Sequence, residues 1–83
     1  MNRRTVERTS VCAVHVWFDD RERLWVRLAD GRELATPLEQ MPFLARAKAA
    51  QRRDWTLADD GTDIHWPQLD EYVSVRAMFG LSD

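Results

Sequence analysis

The order of strand-like and helix-like stretches along this chain predicts a small α+β fold, a mostly antiparallel sheet in the order β-β-β-α-β-β-α with helices packed on one face. Three observations predict it. Residues 23–35 and 54–66 each alternate apolar and polar side chains around a turn that contains Gly, the period of strands with one buried face. Residues 42–53 place Phe43, Leu44, Ala47 and Ala50 at helical spacing. The composition is 45% apolar and includes four Trp, which belongs with folded domains and outside the disordered class. With 83 residues, the chain supports one modest core and is too short for a deep substrate cavity with a supporting shell. Residues 1–9 are expected to be a flexible basic arm, and residues 10–83 a single α+β domain.

The arm carries Arg3, Arg4 and Arg8 in a polar stretch without periodicity, and chain ends of this kind fray. Residues 11–18, VCAVHVWF, are apolar on both alternating sets, which predicts a strand covered on both faces and therefore central. Asp19-Asp20-Arg21-Glu22 reads as a charged turn. Beyond it, Leu24, Val26 and Leu28 alternate with Trp25, Arg27 and Ala29, so one face is buried. Asp30-Gly31 predicts a type I′ hairpin turn, which needs positive φ at both central residues. A third strand over residues 32–35 then returns beside the second.

Thr36-Pro37-Leu38-Glu39 has the form of a capping box with Pro at the first helical position. Pro42 interrupts soon afterwards, so the expectation is a short turn over residues 37–40 and one main helix over residues 42–53. Arg46, Lys48, Arg52 and Arg53 lie around its rim, and the basic end suits the helix dipole. The stretch that the rest of the chain is arranged around comes next. Trp55 and Leu57 lead into Asp59-Asp60-Gly61, Ile64 and Trp66 lead out of it, and Pro67 stops the second strand because it cannot donate to a ladder. Ser74 is placed to cap a last short helix with Val75, Met78 and Phe79 on one stripe and Gly80 at its end. Internal repeats and low-complexity segments are absent.

Charge is divided unevenly along the chain. Residues 1–53 hold eleven Lys and Arg against seven acids, and residues 54–83 hold seven acids against Arg76 alone. The front part is therefore +4 and the back part −6, an asymmetry that concerns partners rather than fold. One cysteine, Cys12, excludes an internal disulfide. The sequence lacks the pattern of a signal peptide and any run of eighteen apolar residues, so a cytoplasmic location is expected.

Catalytic, cofactor and metal chemistry find little support. Cys12 and His15 lie three apart in a strand and point to opposite faces. His65, at odd parity from Ile64, is expected at the surface. Ser10, Ser74 and Ser82 lack a nucleophile elbow. Asp59, Asp60 and Asp63 crowd one turn without the twelve-residue calcium-loop pattern. Asp70 and Glu71 are adjacent, with no apolar pocket to separate their acidities. Gly31, Gly61 and Gly80 are accounted for by turns and a cap, leaving no phosphate loop. Trp17, Trp25, Trp55 and Trp66 are assigned to core and sheet packing rather than to stacking on nucleic-acid bases, because the Trp-rich hairpin lies in the acidic half.

The run Asp30-Gly31, Pro37-Leu38, Pro42, Leu44, Ala47, Gln51-Arg52, Trp55, Gly61, Ile64-His65-Trp66-Pro67, Leu69-Asp70-Glu71 and Val73-Ser74-Val75 resembles the small prokaryotic domain-of-unknown-function family numbered twenty-four forty-two. The likeness covers about residues 10–80, and its most specific part is the segment from Ile64 to the serine-capped helix. Tyr72 departs from the second acidic residue expected after Asp70-Glu71. The resemblance implies an α+β fold, either alone or fused to a DNA-binding domain, often in mobile-element or toxin–antitoxin-like surroundings. It implies no activity. No helix-turn-helix is legible after Phe79.

The functional expectation is a non-catalytic protein-binding module without cofactor or metal. Asp59, Asp60, Asp63, Asp70 and Glu71 would offer carboxylates to a basic, nucleic-acid-handling protein, most concretely as an anti-CRISPR-like inhibitor that blocks a DNA-binding surface. A toxin–antitoxin-like accessory subunit is the alternative within the binding class. A nucleic-acid binder using the arm and Arg46, Lys48, Arg52 and Arg53 is the competing class.

Overall fold

A computed structural model of the chain describes residues 11–80, and the basic arm expected at residues 1–9 lies outside them. The α+β class holds, with the strands divided between two antiparallel sheets of three. The first is a meander of β1 (Ala13–Phe18), β2 (Arg23–Leu28) and β3 (Glu33–Pro37) in that order. The second is a meander of β4 (Thr56–Ala58), β5 (Asp63–Trp66) and β6 (Glu71–Ser74). Helices α1 (Pro42–Ala45) and α2 (Ala49–Arg53) join the sheets, and α3 (Val75–Met78) follows β6.

The central strand of the first sheet is β2, not β1. Leu24, Val26 and Leu28 are buried on its inner face as the alternation requires. On β1, Ala13 and Val16 face the same core, while His15 and Trp17 lie on the outer face, stacked ring on ring at 5.3 Å. The two-sided apolar character of β1 therefore comes from an aromatic surface layer and not from a strand on either side.

The β2–β3 turn also differs from type I′. Gly31 has φ +95° and Asp30 is not in the positive region. Gly31 N–H donates to the Leu28 carbonyl, and Leu28 N–H donates to Arg32. This is the three-residue hairpin loop, a type I turn closed by one left-handed residue. Thr36 falls in β3, so no capping box forms, and a single 3-10 turn spans Leu38–Gln40 with Pro37 at its N-cap position.

The expected single helix over residues 42–53 is broken at Arg46–Lys48. In a continuous helix the carbonyls of Leu44 and Ala45 would accept from the amides four residues on, at Lys48 and Ala49. Here the Arg52 guanidinium reaches back and donates to both, at 2.8 and 3.1 Å. The second turn starts afresh at Lys48, whose amide is capped by the Gln51 side chain at 2.9 Å.

The two sheets share a core. Val16, Leu24, Val26 and Leu28 from the first meet Ile64 and Trp66 from the second, with Leu38, Leu44 and Val75 between them. Gly61 brings the second sheet close to β1. Its φ is +91°, and a Cβ there would lie 2.6 Å from the Ala13 carbonyl oxygen. Only glycine satisfies both the backbone angle and the space. Ser74 caps α3 as expected, its Oγ accepting the Ala77 amide at 3.2 Å. Among the described residues, no helix is long and apolar enough to cross a membrane.

Candidate functional site

The second sheet and its two connecting turns carry all five acidic residues proposed for partner binding. Its register places Thr56, His65 and Tyr72 in one row, Leu57, Ile64 and Val73 in the next, and Ala58, Asp63 and Ser74 in the third. Successive rows face opposite sides of a sheet. Ile64 and Trp66 are fully buried, so their face is the core face, and Asp63, His65 and Tyr72 belong to the outer one.

On that outer face the rings of His65 and Tyr72 stack in parallel, with centroids 4.0 Å apart and planes within 8°. His65 is half-buried by this contact, while Tyr72 is 58% exposed. β6 is an edge strand. One face of the Tyr72 ring therefore rests on His65, and no neighbouring strand covers the other.

The five candidate carboxylates gather in two places. Asp59 and Asp60 form the 3-10 turn between β4 and β5, and Asp63 begins β5 beside them. Asp70 and Glu71 lie at the opposite end of the sheet, with Glu71 paired across from Trp66. β5 separates the two groups by three residue steps, about 10 Å. Asp59, Asp60, Asp70 and Glu71 are exposed, whereas Asp63 is half-buried and engaged within the chain. Asp59, Asp60 and Asp70 have φ of +52°, +59° and +54°. Asp tolerates this left-handed conformation better than most residues do, because its short polar side chain hydrogen-bonds locally.

The basic residues are used differently. Arg52 is a structural brace, with a side chain only 18% exposed and a contact to Glu22 at 3.6 Å. Arg46, Lys48 and Arg53 are exposed. On the outer face of the first sheet, Trp25 stacks on Trp17 at 5.7 Å, Trp17 on His15, and His15 meets the edge of Trp55 at 6.1 Å. Guanidiniums already sit over this row, Arg23 on Trp25 at 5.6 Å and Arg27 on Trp17 at 5.3 Å. Asp19 anchors its end, accepting the Trp25 indole N–H at 2.8 Å, the Arg23 Nε–H at 2.7 Å and the amides of Arg21 and Arg23. The Trp25 bond, with the backbone and Arg23 donors, holds the Asp19 carboxyl well below the usual carboxylate range. Sequence reading treated Asp19 as an ordinary turn acid. The signal for its role was an indole and a guanidinium six and four residues on, both on one face of the returning strand.

Among the described residues, no group of three or more His, Cys, Asp or Glu side chains is arranged to hold a metal ion. The molecule is thus a small two-sheet α+β protein whose second sheet has a His65–Tyr72 stack on its outer face and exposed carboxylates at its two ends, and whose first sheet has an outer face of stacked indoles. The chain belongs to the DUF2442 family of proteins of unknown function, whose model matches residues 13–82. It is similar to the crystal structure of a protein of unknown function from Rhodospirillum rubrum ATCC 11170, with 26% identity and a TM-score of 0.72 over 84% of this chain and 87% of that one. Curated proteins offer no match.

Proposed function

We propose that this chain is a non-catalytic protein-binding module whose acidic second sheet docks on a basic surface of a nucleic-acid-handling protein. One observation carries the reading. Across residues 54–80, six acids (Asp54, Asp59, Asp60, Asp63, Asp70 and Glu71) stand against Arg76, and four of the five carboxylates proposed for contact are exposed. Such a surface speeds encounter with a cationic partner and disfavours anionic ones. A concrete form is an inhibitor that covers a DNA-binding surface of a defence complex, anti-CRISPR-like in action, with carboxylates where phosphates would sit.

The test is capture of partners from a host lysate by the full chain, with mass spectrometry, beside a variant carrying Asp59→Asn, Asp60→Asn and Asp70→Asn. Asn accepts the left-handed backbone at these positions, so charge is removed without new strain. A basic nucleic-acid-handling protein retained by the wild type and lost by the variant supports the reading. Equal retention by both defeats it.

A further inference from the structure

We propose that the outer face of the second sheet seats an arginine of the partner, with its guanidinium on the open face of Tyr72 and neighbouring cations paired to the carboxylates at the two ends of the sheet. This rests on the protein-binding reading above and names the chemistry that the face selects.

Three features converge on it. Tyr72 is a large aromatic side chain left 58% exposed, on an edge strand with no neighbouring strand on its outer side. His65, parallel to it at 4.0 Å, fixes the ring's orientation from behind. Asp59 and Asp60 at one end, and Asp70 at the other, lie exposed within a few residue steps of the ring, whereas Glu71, across from Trp66, belongs to the opposite side of the sheet. An aromatic face attracts a cation through its quadrupole. Flanking carboxylates raise the local concentration of cations and accept their hydrogen bonds. A planar guanidinium suits the ring better than an ammonium does, because it stacks on the aromatic face where an ammonium offers only a point charge, and the end carboxylates serve the neighbouring cations. The same pairing already exists within this chain, where Arg23 and Arg27 cover Trp25 and Trp17.

The experiment uses the full chain and two capped peptides of equal length, octa-arginine and octa-lysine, each with a fluorescent label followed by anisotropy at low salt. The arginine peptide is expected to bind more tightly. Tyr72→Ala should weaken it by about two- to fivefold, the size of an exposed cation–π contact, and erase the preference over lysine, while Tyr72→Phe retains both. Asp59→Asn with Asp60→Asn should weaken both peptides alike. Unchanged arginine preference in Tyr72→Ala overturns the role of the ring and leaves the acidic-sheet reading standing. Binding of neither peptide overturns both. A single-stranded oligonucleotide that binds in a Tyr72-dependent way, in place of the peptides, overturns the assignment of a cationic occupant.

Discussion

The indole N–H of Trp66 donates to the carbonyl oxygen of Arg52 at 2.9 Å, and this bond fastens the second sheet to the end of α2. Trp66 is fully buried and packs edge-on against Phe43 at 5.7 Å. Trp66→Phe keeps an aromatic ring but leaves the Arg52 carbonyl without this donor and opens a small void. The expected loss is about 1–3 kcal/mol, read from urea denaturation.

Arg52 and Arg53 are neighbours with opposite roles. Arg52→Ala strips donors from the Leu44 and Ala45 carbonyls and should cost about 1–3 kcal/mol. Arg53 is exposed, and its truncation should stay within about 0.5 kcal/mol. Any gel-shift test of direct nucleic-acid binding by the basic helix therefore belongs on Arg46, Lys48 and Arg53, since changing Arg52 disturbs the fold as well as the charge.

The Asp19 cluster makes stability depend on pH in acid. Its carboxyl ionises below the ordinary value of about 3.9 in the folded chain. The unfolded chain therefore binds more protons in that range, and the stabilisation is complete above about pH 4 and lost as pH falls below it. Thermal unfolding followed by circular dichroism should show Asp19→Asn less stable than wild type near neutrality, with the gap narrowing in strong acid. A constant gap across that range would contradict the assignment.

Gly61 and Gly31 share positive φ but not their surroundings. A Cβ at Gly31 meets nothing within 4 Å, whereas one at Gly61 collides with the Ala13 backbone. Gly31→Ala should cost about 1–2 kcal/mol for the left-handed backbone alone. Gly61→Ala should cost more than that, and equilibrium unfolding of the two variants side by side measures the difference.

Much of this arrangement was legible in the chain. The alternation of Leu24, Val26 and Leu28, the Ile64–Trp66 strand and the Ser74 cap follow from period and local hydrogen-bonding chemistry, which act over a few residues. What escaped reading depends on distant partners. Residues 43–53 contain neither Pro nor Gly, and the helix break there goes with contacts that period does not announce, the Gln51 cap on Lys48 and the Arg52 guanidinium on the Leu44 and Ala45 carbonyls eight and seven residues back. β6 has only Tyr72 and Val73 as strand formers, and it becomes a strand because β5 offers it an edge. For the candidate site, the five acids were legible as charge, but their separation to two ends of one sheet, and the ring stack between them, required the strand register.

The contact between Gly61 and β1 also bears on how distant kin of this fold are recognised. A hydrogen is all that fits at that point, so a correctly aligned homologue must either keep a residue without a side chain there or have displaced its first strand. Position 61 thus serves as a ruler mark: when two such chains are overlaid in sequence, a bulky residue at this column signals a slipped alignment or a remodelled opening strand.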